Sequence, residues 1–254
     1  MSSVEESSNP QIYYFPPCGF GFWYLLGIYE TIKNDKNILI GASAGSLICV
    51  CSLLKKEDLI NTVIKCAEET KTEYNKKTVL FYNFYNITYL FLDKLFNYID
   101  KEKLEDNLKN IRIQTAEISG LIHIVKHQIE PRTLNHLREL VLASCYIPVL
   151  SNYNNLLYYI VDGKKMCDGI LVDLYMQNTH KTFDVTKYKC LTNLLMIPSH
   201  TKIMNMYNDG IIDGLLYKKQ FNKQFNKQLI SCNYYFVSIL LIVCYYILFY
   251  FKIF

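Results

Sequence analysis

The pentapeptide Gly41-Ala-Ser-Ala-Gly45 sets a serine hydroxyl where it can act as a nucleophile. In the pattern G-x-S-x-G a strand turns sharply into a helix, neither glycine position has room for a Cβ, and the serine stands at the apex. The N–H of Ala44 then points toward the helix start, where it and the first-turn dipole stabilise a developing oxyanion. A structural turn around a small side chain is the competing reading of the same five residues.

A second glycine turn, Cys18-Gly-Phe-Gly21, follows the first apolar strand and precedes a helix. In a βαβ unit both turns lie at one sheet edge, so N–H groups of Cys18, Gly19 or Phe20 can face the pocket of Ser43. The turn lacks the third glycine of G-x-G-x-x-G, and no G-K-[ST] occurs, which argues against a nucleotide site.

A free serine hydroxyl is a weak nucleophile and needs a base. The five histidines are His123, His127, His136, His180 and His200. A Ser, Asp, His order can use Asp168 with His180 or His200, yet neither histidine sits in a glycine-rich turn, and each reads as a surface or locally satisfied side chain. Asp168 in Cys-Asp-Gly-Ile and Asp162 in Val-Asp-Gly-Lys both precede a glycine that permits a sharp turn. A serine–aspartate dyad needs the carboxylate about 2.6 to 3.2 Å from Ser43 Oγ. On residue chemistry alone the two aspartates stay open.

The elements that must position these groups follow from apolar periodicity. Residues 12 to 15 and 37 to 41 read as strands, with a helix over 22 to 33 between them. After the serine turn, residues 46 to 54 read as a buried apolar helix. Residues 55 to 70 read as an amphipathic one, with Leu59, Val63 and Cys66 or Ala67 on one face. The aromatic, asparagine-rich stretch from Tyr74 to Tyr98 reads as helical core, with a lipid-facing cap as the other reading. Strand alternation recurs in Asn110–Ile118 and Gly120–His127. The segment Thr133–Cys145 then reads as an amphipathic helix that stops near Pro148, and 158 to 161 as a short strand.

At 254 residues and 51% hydrophobic content the chain supports one large α/β domain. A formal net charge of +4, spread evenly, excludes a nucleic-acid surface as the organising feature. Nine cysteines without a close C-x-x-C pair argue against zinc and against a disulfide framework. The polar, acidic start Met1–Gln11 is the reverse of a secretory signal, so the catalytic region is expected on the cytoplasmic side, with reduced thiols and with the Asn86 sequon unmodified.

No Asp, Glu, Lys or Arg occurs from Gln228 to Phe251. As a helix, residues 234 to 251 would be about 27 Å long, close to a hydrocarbon layer of about 30 Å. Lys218, Lys219, Lys223 and Lys227 precede the run on its near side. The expected organisation is a polar tail over 1–11, a domain carrying the serine turn over 12–216, a polar tether over 217–233 and a transmembrane tail anchor over 234–251. The chain is thus expected to be a single-pass membrane protein with its catalytic domain facing the cytoplasm.

Three islands resemble the patatin-like phospholipase family, in particular its animal-type branch of triacylglycerol lipases and acylglycerol transacylases. They are Cys-Gly-Phe-Gly-Phe-Trp-Tyr-Leu-Leu-Gly at 18–27, the Gly41–Gly45 turn, and Ala-Ser-Cys-Tyr-Ile-Pro-Val at 143–149 followed by Cys-Asp-Gly-Ile-Leu-Val-Asp at 167–173. The resemblance covers about residues 12 to 175. It implies a three-layer α/β/α sandwich around a central, mostly parallel sheet. It also implies hydrolysis of phospholipid or acylglycerol esters by a Ser43–Asp168 dyad, without metal or organic cofactor, and it favours Asp168 over Asp162. Pro17 stands where the family has a glycine, Phe22 where it has the last glycine of the turn, Gly21 where it has a leucine, and Ile170 where it has a small residue. Two other functions stay open. One is a catalytically inactive patatin-like binding or regulatory protein at a membrane. The other is a small-ester α/β-hydrolase with a Ser-Asp-His triad.

Overall fold

A computed structural model of the chain describes residues 10–55, 57–75, 84–102, 104–119, 123–148, 151, 158–171, 181–185 and 198–221. The first strand, β1 (Ile12–Phe15), leads through a 3-10 turn at Gly19–Gly21 into helix α1 (Phe22–Ile32) and back into β2 (Ile38–Ala42). Two short apolar strands bracketing a helix give the parallel pairing expected of a βαβ unit, with Tyr14 opposite Ile40 and Phe15 opposite Gly41. The chain continues through α2 (Ala44–Cys51), α3 (Leu59–Asn75), α4 (Phe84–Phe96) and α5 (Leu104–Leu108). There follow β3 (Ile111–Ser119), β4 (His123–Ile129) and α6 (Leu134–Ser144). The last described elements are β5 (Tyr159–Val161), β6 (Lys164–Cys167), β7 (Lys181–Thr182) and α7 (His200–Phe221).

These seven strands form one mixed sheet, which corrects the expectation of a mostly parallel one. The pairs β1–β2, β1–β7 and β2–β3 are parallel, whereas β3–β4, β3–β6 and β5–β6 are antiparallel. For β3–β4 and β5–β6 the cause is connection length: a parallel return needs a crossover of about a dozen residues or more. Only residues 120–122 separate β3 from β4, and only Asp162 and Gly163 separate β5 from β6. Asp162 and Gly163 both have positive φ, 51° and 74°, as a two-residue type I′ hairpin requires.

The expected patatin-like three-layer sandwich is corrected with it. The main apolar cluster joins one sheet face (Phe15, Leu39, Ile111, Ile113) to residues of α1, α2, α3, α4, α6 and α7. On the other face Tyr14, Ile40 and Ala42 cluster with Ile38, and Ala116 and Cys167 with Ile118, Ile124 and Leu171, so α1–α4, α6 and α7 all gather on the first face.

The tail anchor is corrected too. Among the described residues no helix is long and apolar enough to cross a membrane. Residues 234–251 lie outside those described. The expected bilayer partnership and the single-pass, cytoplasm-facing placement therefore have no spanning helix among the described residues.

Pairing along β3 decides where the site forms. Its edge toward β4 is filled from Ile113 to Ser119. The opposite edge takes β2 first, with Ala42 opposite Gln114, and then β6, with Cys167 opposite Ala116. Because β2 runs parallel to β3 and β6 antiparallel, their C-terminal ends approach each other beside Thr115.

Helix α1 behind this junction is held by α7, the most extensive contact between described elements. The contact depends on glycine: a Cβ on Gly27 would lie 2.0 Å from the carbonyl oxygen of Tyr207, and one on Gly210 2.0 Å from that of Tyr24. Tyr24 also donates its hydroxyl to Asp213 at 2.9 Å. Substituting Gly210→Val should lower stability by about 1–3 kcal/mol, because backbone must move to admit the side chain. Ile212→Ala, on the exposed face of the same helix, should stay within about 0.5 kcal/mol. Urea unfolding of both variants checks this, and equal midpoints would show that the helices do not meet this closely.

Candidate active site

Ser43 links β2 to α2 with φ 51° and ψ −126°, a conformation that costs a non-glycine residue about 1–3 kcal/mol and persists only where the surroundings enforce it. The enforcement is visible at both glycines. A Cβ on Gly41 would lie 2.4 Å from the carbonyl oxygen of Gly45, and one on Gly45 2.0 Å from that of Phe15. The strand-to-helix turn expected from Gly41 and Gly45 is thus present.

Ser43 Oγ donates to Asp168 Oδ2 at 2.8 Å. Asp168 is 1% exposed while Ser43 is only partly buried, so the carboxylate is covered and the hydroxyl can be approached. The other carboxylate oxygen, Oδ1, accepts the N–H of Ile170 at 2.8 Å, and the Asp168 N–H is given to the carbonyl of Tyr146 at 2.9 Å. Gly169 is required by close approach: a Cβ there would lie 2.7 Å from the carbonyl oxygen of Gln114 and 3.0 Å from Ala42 Cβ. The Asp-Gly pair can thus lie against the end of β2 only without a side chain at the second position.

Asp162, the rival aspartate, sits in the β5–β6 hairpin turn, ion-paired with Arg132 and 3.2 Å from His136 Nε2. Its glycine serves the turn. Among the histidines, His127 Nε2 is 2.6 Å from Glu117 Oε2, and His200 is exposed at the first residue of α7. His180 and the side chain of His123 lie outside the described residues. A serine hydroxyl already 2.8 Å from the carboxylate leaves no space for an imidazole between them.

Cys18, Gly19 and Phe20 follow β1 and Ala44 follows β2, and these two strands pair in parallel with Phe15 opposite Gly41. In the 3-10 turn that follows β1, Gly19 has φ 53° and the Gly21 N–H closes the turn on the Cys18 carbonyl at 2.9 Å. This turn packs against α2. At the start of α2 the Ser43 N–H goes to Ser144 Oγ at 2.8 Å and the Ser46 N–H to the Ser43 carbonyl at 2.8 Å. The amide of Ala44 belongs to the first turn, where no intrahelical acceptor exists. Pro17 contributes no N–H. Phe22, where a glycine was the expected residue, is buried at the start of α1 and packs edge-on against Trp23 and Phe91.

Two contributors escaped the sequence reading. Ser46 Oγ donates to the Ser43 carbonyl at 2.5 Å and lies 3.7 Å from Cys145 Sγ. Ser144, fully buried, receives the Ser43 N–H and donates to the Gln114 carbonyl at 2.7 Å. For Ser144 the only available signal was a small polar residue in the last turn of an amphipathic helix.

Two surface clefts, one around Asp35, Ile38 and Asn110 and one around Lys65, Glu69 and Lys94, lie away from Ser43. No group of three or more His, Cys, Asp or Glu able to hold a metal gathers among the described residues. No family model matches the chain, and no curated protein or solved structure matches it.

Buried thiols in the fold hold their protons more tightly than a free cysteine. Burial, then the Asp168 charge, pushes Cys145 far up, and the same two causes push Cys167 up to about 12. Burial lifts Cys66 to about 11. Each thiol keeps its proton in the folded chain above the unfolded value of about 8.5. Stability from this source is therefore full below that pH and is lost as pH rises toward 11 and 12. The urea midpoint should fall steadily from pH 8 to pH 10.5, and a flat profile would remove the argument.

Proposed function

We propose that this chain is a carboxylic-ester acyl hydrolase that works through a Ser43–Asp168 dyad. The observation that carries the reading is the 2.8 Å contact between Ser43 Oγ and Asp168 Oδ2, made by a serine held at positive φ at the end of a strand. Asp168 takes the hydroxyl proton as Ser43 Oγ attacks the acyl carbonyl. The tetrahedral oxyanion is met by the Ala44 N–H and by amides of the Cys18–Phe20 turn. Collapse expels the alcohol, which receives the proton from Asp168, and leaves an acyl-serine. Water then attacks this ester with Asp168 again as base, releasing the acid and free Ser43. The sequence resemblance to patatin-like hydrolases supports the same histidine-free chemistry, and a long-chain acyl ester is the substrate class it implies.

The second reading is a catalytically silent binding or regulatory protein that retains the pair. It is favoured by Pro17, which offers no amide where the family turn has a glycine, since loss of one oxyanion donor costs about 3–4 kcal/mol of transition-state stabilisation.

An alkyl fluorophosphonate separates the two. Ser43 Oγ forms a bond to phosphorus, fluoride leaves, and the hydroxyl proton passes to Asp168. The wild-type chain should label at Ser43, Ser43→Ala should not label, and Asp168→Asn should label at least about 100-fold more slowly. Hydrolysis of p-nitrophenyl esters should fall in parallel, with acyl chains of four to sixteen carbons reporting the preference. A folded wild-type chain that neither labels nor hydrolyses any of these esters would leave the silent reading in place.

A further inference from the structure

The rung of the sheet that β2 fails to make is completed by a side chain. Pairing of β2 with β3 ends at Ala42 opposite Gln114. The next bond of a parallel ladder would run from the Ser43 N–H to the Gln114 carbonyl, but at Ser43 the chain turns away at φ 51°. Ser144 Oγ occupies that gap, accepting the Ser43 N–H at 2.8 Å and donating to the Gln114 carbonyl at 2.7 Å. The same residue holds the acid: its backbone carbonyl accepts the N–H of Gly169 at 3.3 Å, and the Tyr146 carbonyl two residues on accepts that of Asp168. Ser144 has no solvent exposure, so its hydroxyl bonds face no competition from water.

We propose that Ser144 is a positioning residue that fixes Ser43 and Asp168 in reacting register, its side chain holding the nucleophile turn and its carbonyl the acid turn. The inference rests on the dyad reading above. It assigns a role to a residue that touches neither substrate nor reacting atoms. Removing the hydroxyl leaves the Ser43 amide and the Gln114 carbonyl bridged by nothing, and the turn relaxes by a fraction of an ångström to an ångström. Misplacement on that scale slows a positioned reaction by about 100-fold.

The test compares full-length wild type, Ser144→Ala, Ser144→Cys and Ser144→Thr, each checked for folding by its thermal midpoint. The readouts are the fluorophosphonate labelling rate and the kcat and KM for p-nitrophenyl butyrate. The Ala variant should lose about 10- to 100-fold in labelling rate and in kcat with KM unchanged, and Thr, which keeps a hydroxyl, should recover to within a few-fold of wild type. Cys keeps the volume but hydrogen-bonds weakly, and should behave like Ala; it carries the comparison with Thr where Ala does not fold. Folded Ala or Cys variants that react at the wild-type rate would overturn the inference and leave the dyad intact. Equal loss in Thr and Ala would overturn it as well, by showing a demand for shape and not for a hydroxyl. A folded wild type that does not label at all would overturn the dyad reading together with this one.

Discussion

Competition for the edges of β3 organises this molecule. A strand has two hydrogen-bonding edges, and β4 fills one of them from Ile113 to Ser119. Strands β2 and β6 must therefore share the other, arriving from opposite directions and stopping beside Thr115. Each ends in a residue with chemistry to offer, Ser43 after Ala42 and Asp168 after Cys167. Their meeting is a consequence of strand direction, and a purely parallel sheet could not bring two C-terminal strand ends together on one edge in this way.

Held in that junction, the backbone of Ser43 is strained, and the strain is distributed over neighbours that cannot yield. The carbonyls of Phe15 and Gly45 close on the two flanking glycines, Ser46 grips the Ser43 carbonyl, and Ser144 grips its amide. The main apolar cluster lies behind these contacts and ties β1, β2 and β3 to the helices, so relaxing the turn means disturbing packed side chains. Desolvation of the surrounding thiols belongs to the same design, since it keeps Cys145 and Cys167 neutral next to the Asp168 carboxylate.

Much of this was legible in the residues, for physical reasons that can be named. Apolar runs of four or five residues located β1 and β2 to within one position, and the spacing of Gly41 and Gly45 around Ser43 gave the turn, because both glycines answer to steric limits that leave a mark on sequence. Residue chemistry could not separate Asp162 from Asp168, since an Asp-Gly pair serves a type I′ hairpin as well as a catalytic turn. The family resemblance favoured Asp168, and the β5–β6 pairing now shows why Asp162 is occupied elsewhere. Strand direction was lost because alternation carries no sense of orientation, although the three residues between β3 and β4 already required a reversal. Helix α7 went unread since Gly210 and Gly214 interrupt its apolar face, and they do so to let α1 come near. Ser144 carried no local signature, as its role exists only across 101 positions of chain.

The separation of 125 positions between Ser43 and Asp168 also governs when the site can come into being. The β5–β6 hairpin closes over two residues and needs little search, whereas joining the two halves of the dyad requires a long loop to close after the sheet has begun to assemble. During synthesis the serine emerges well before its acid. A growing chain therefore carries Ser43 without its carboxylate partner until residue 168 has left the ribosome and docked, and the Ser43–Asp168 hydrogen bond is a property of the finished sheet alone.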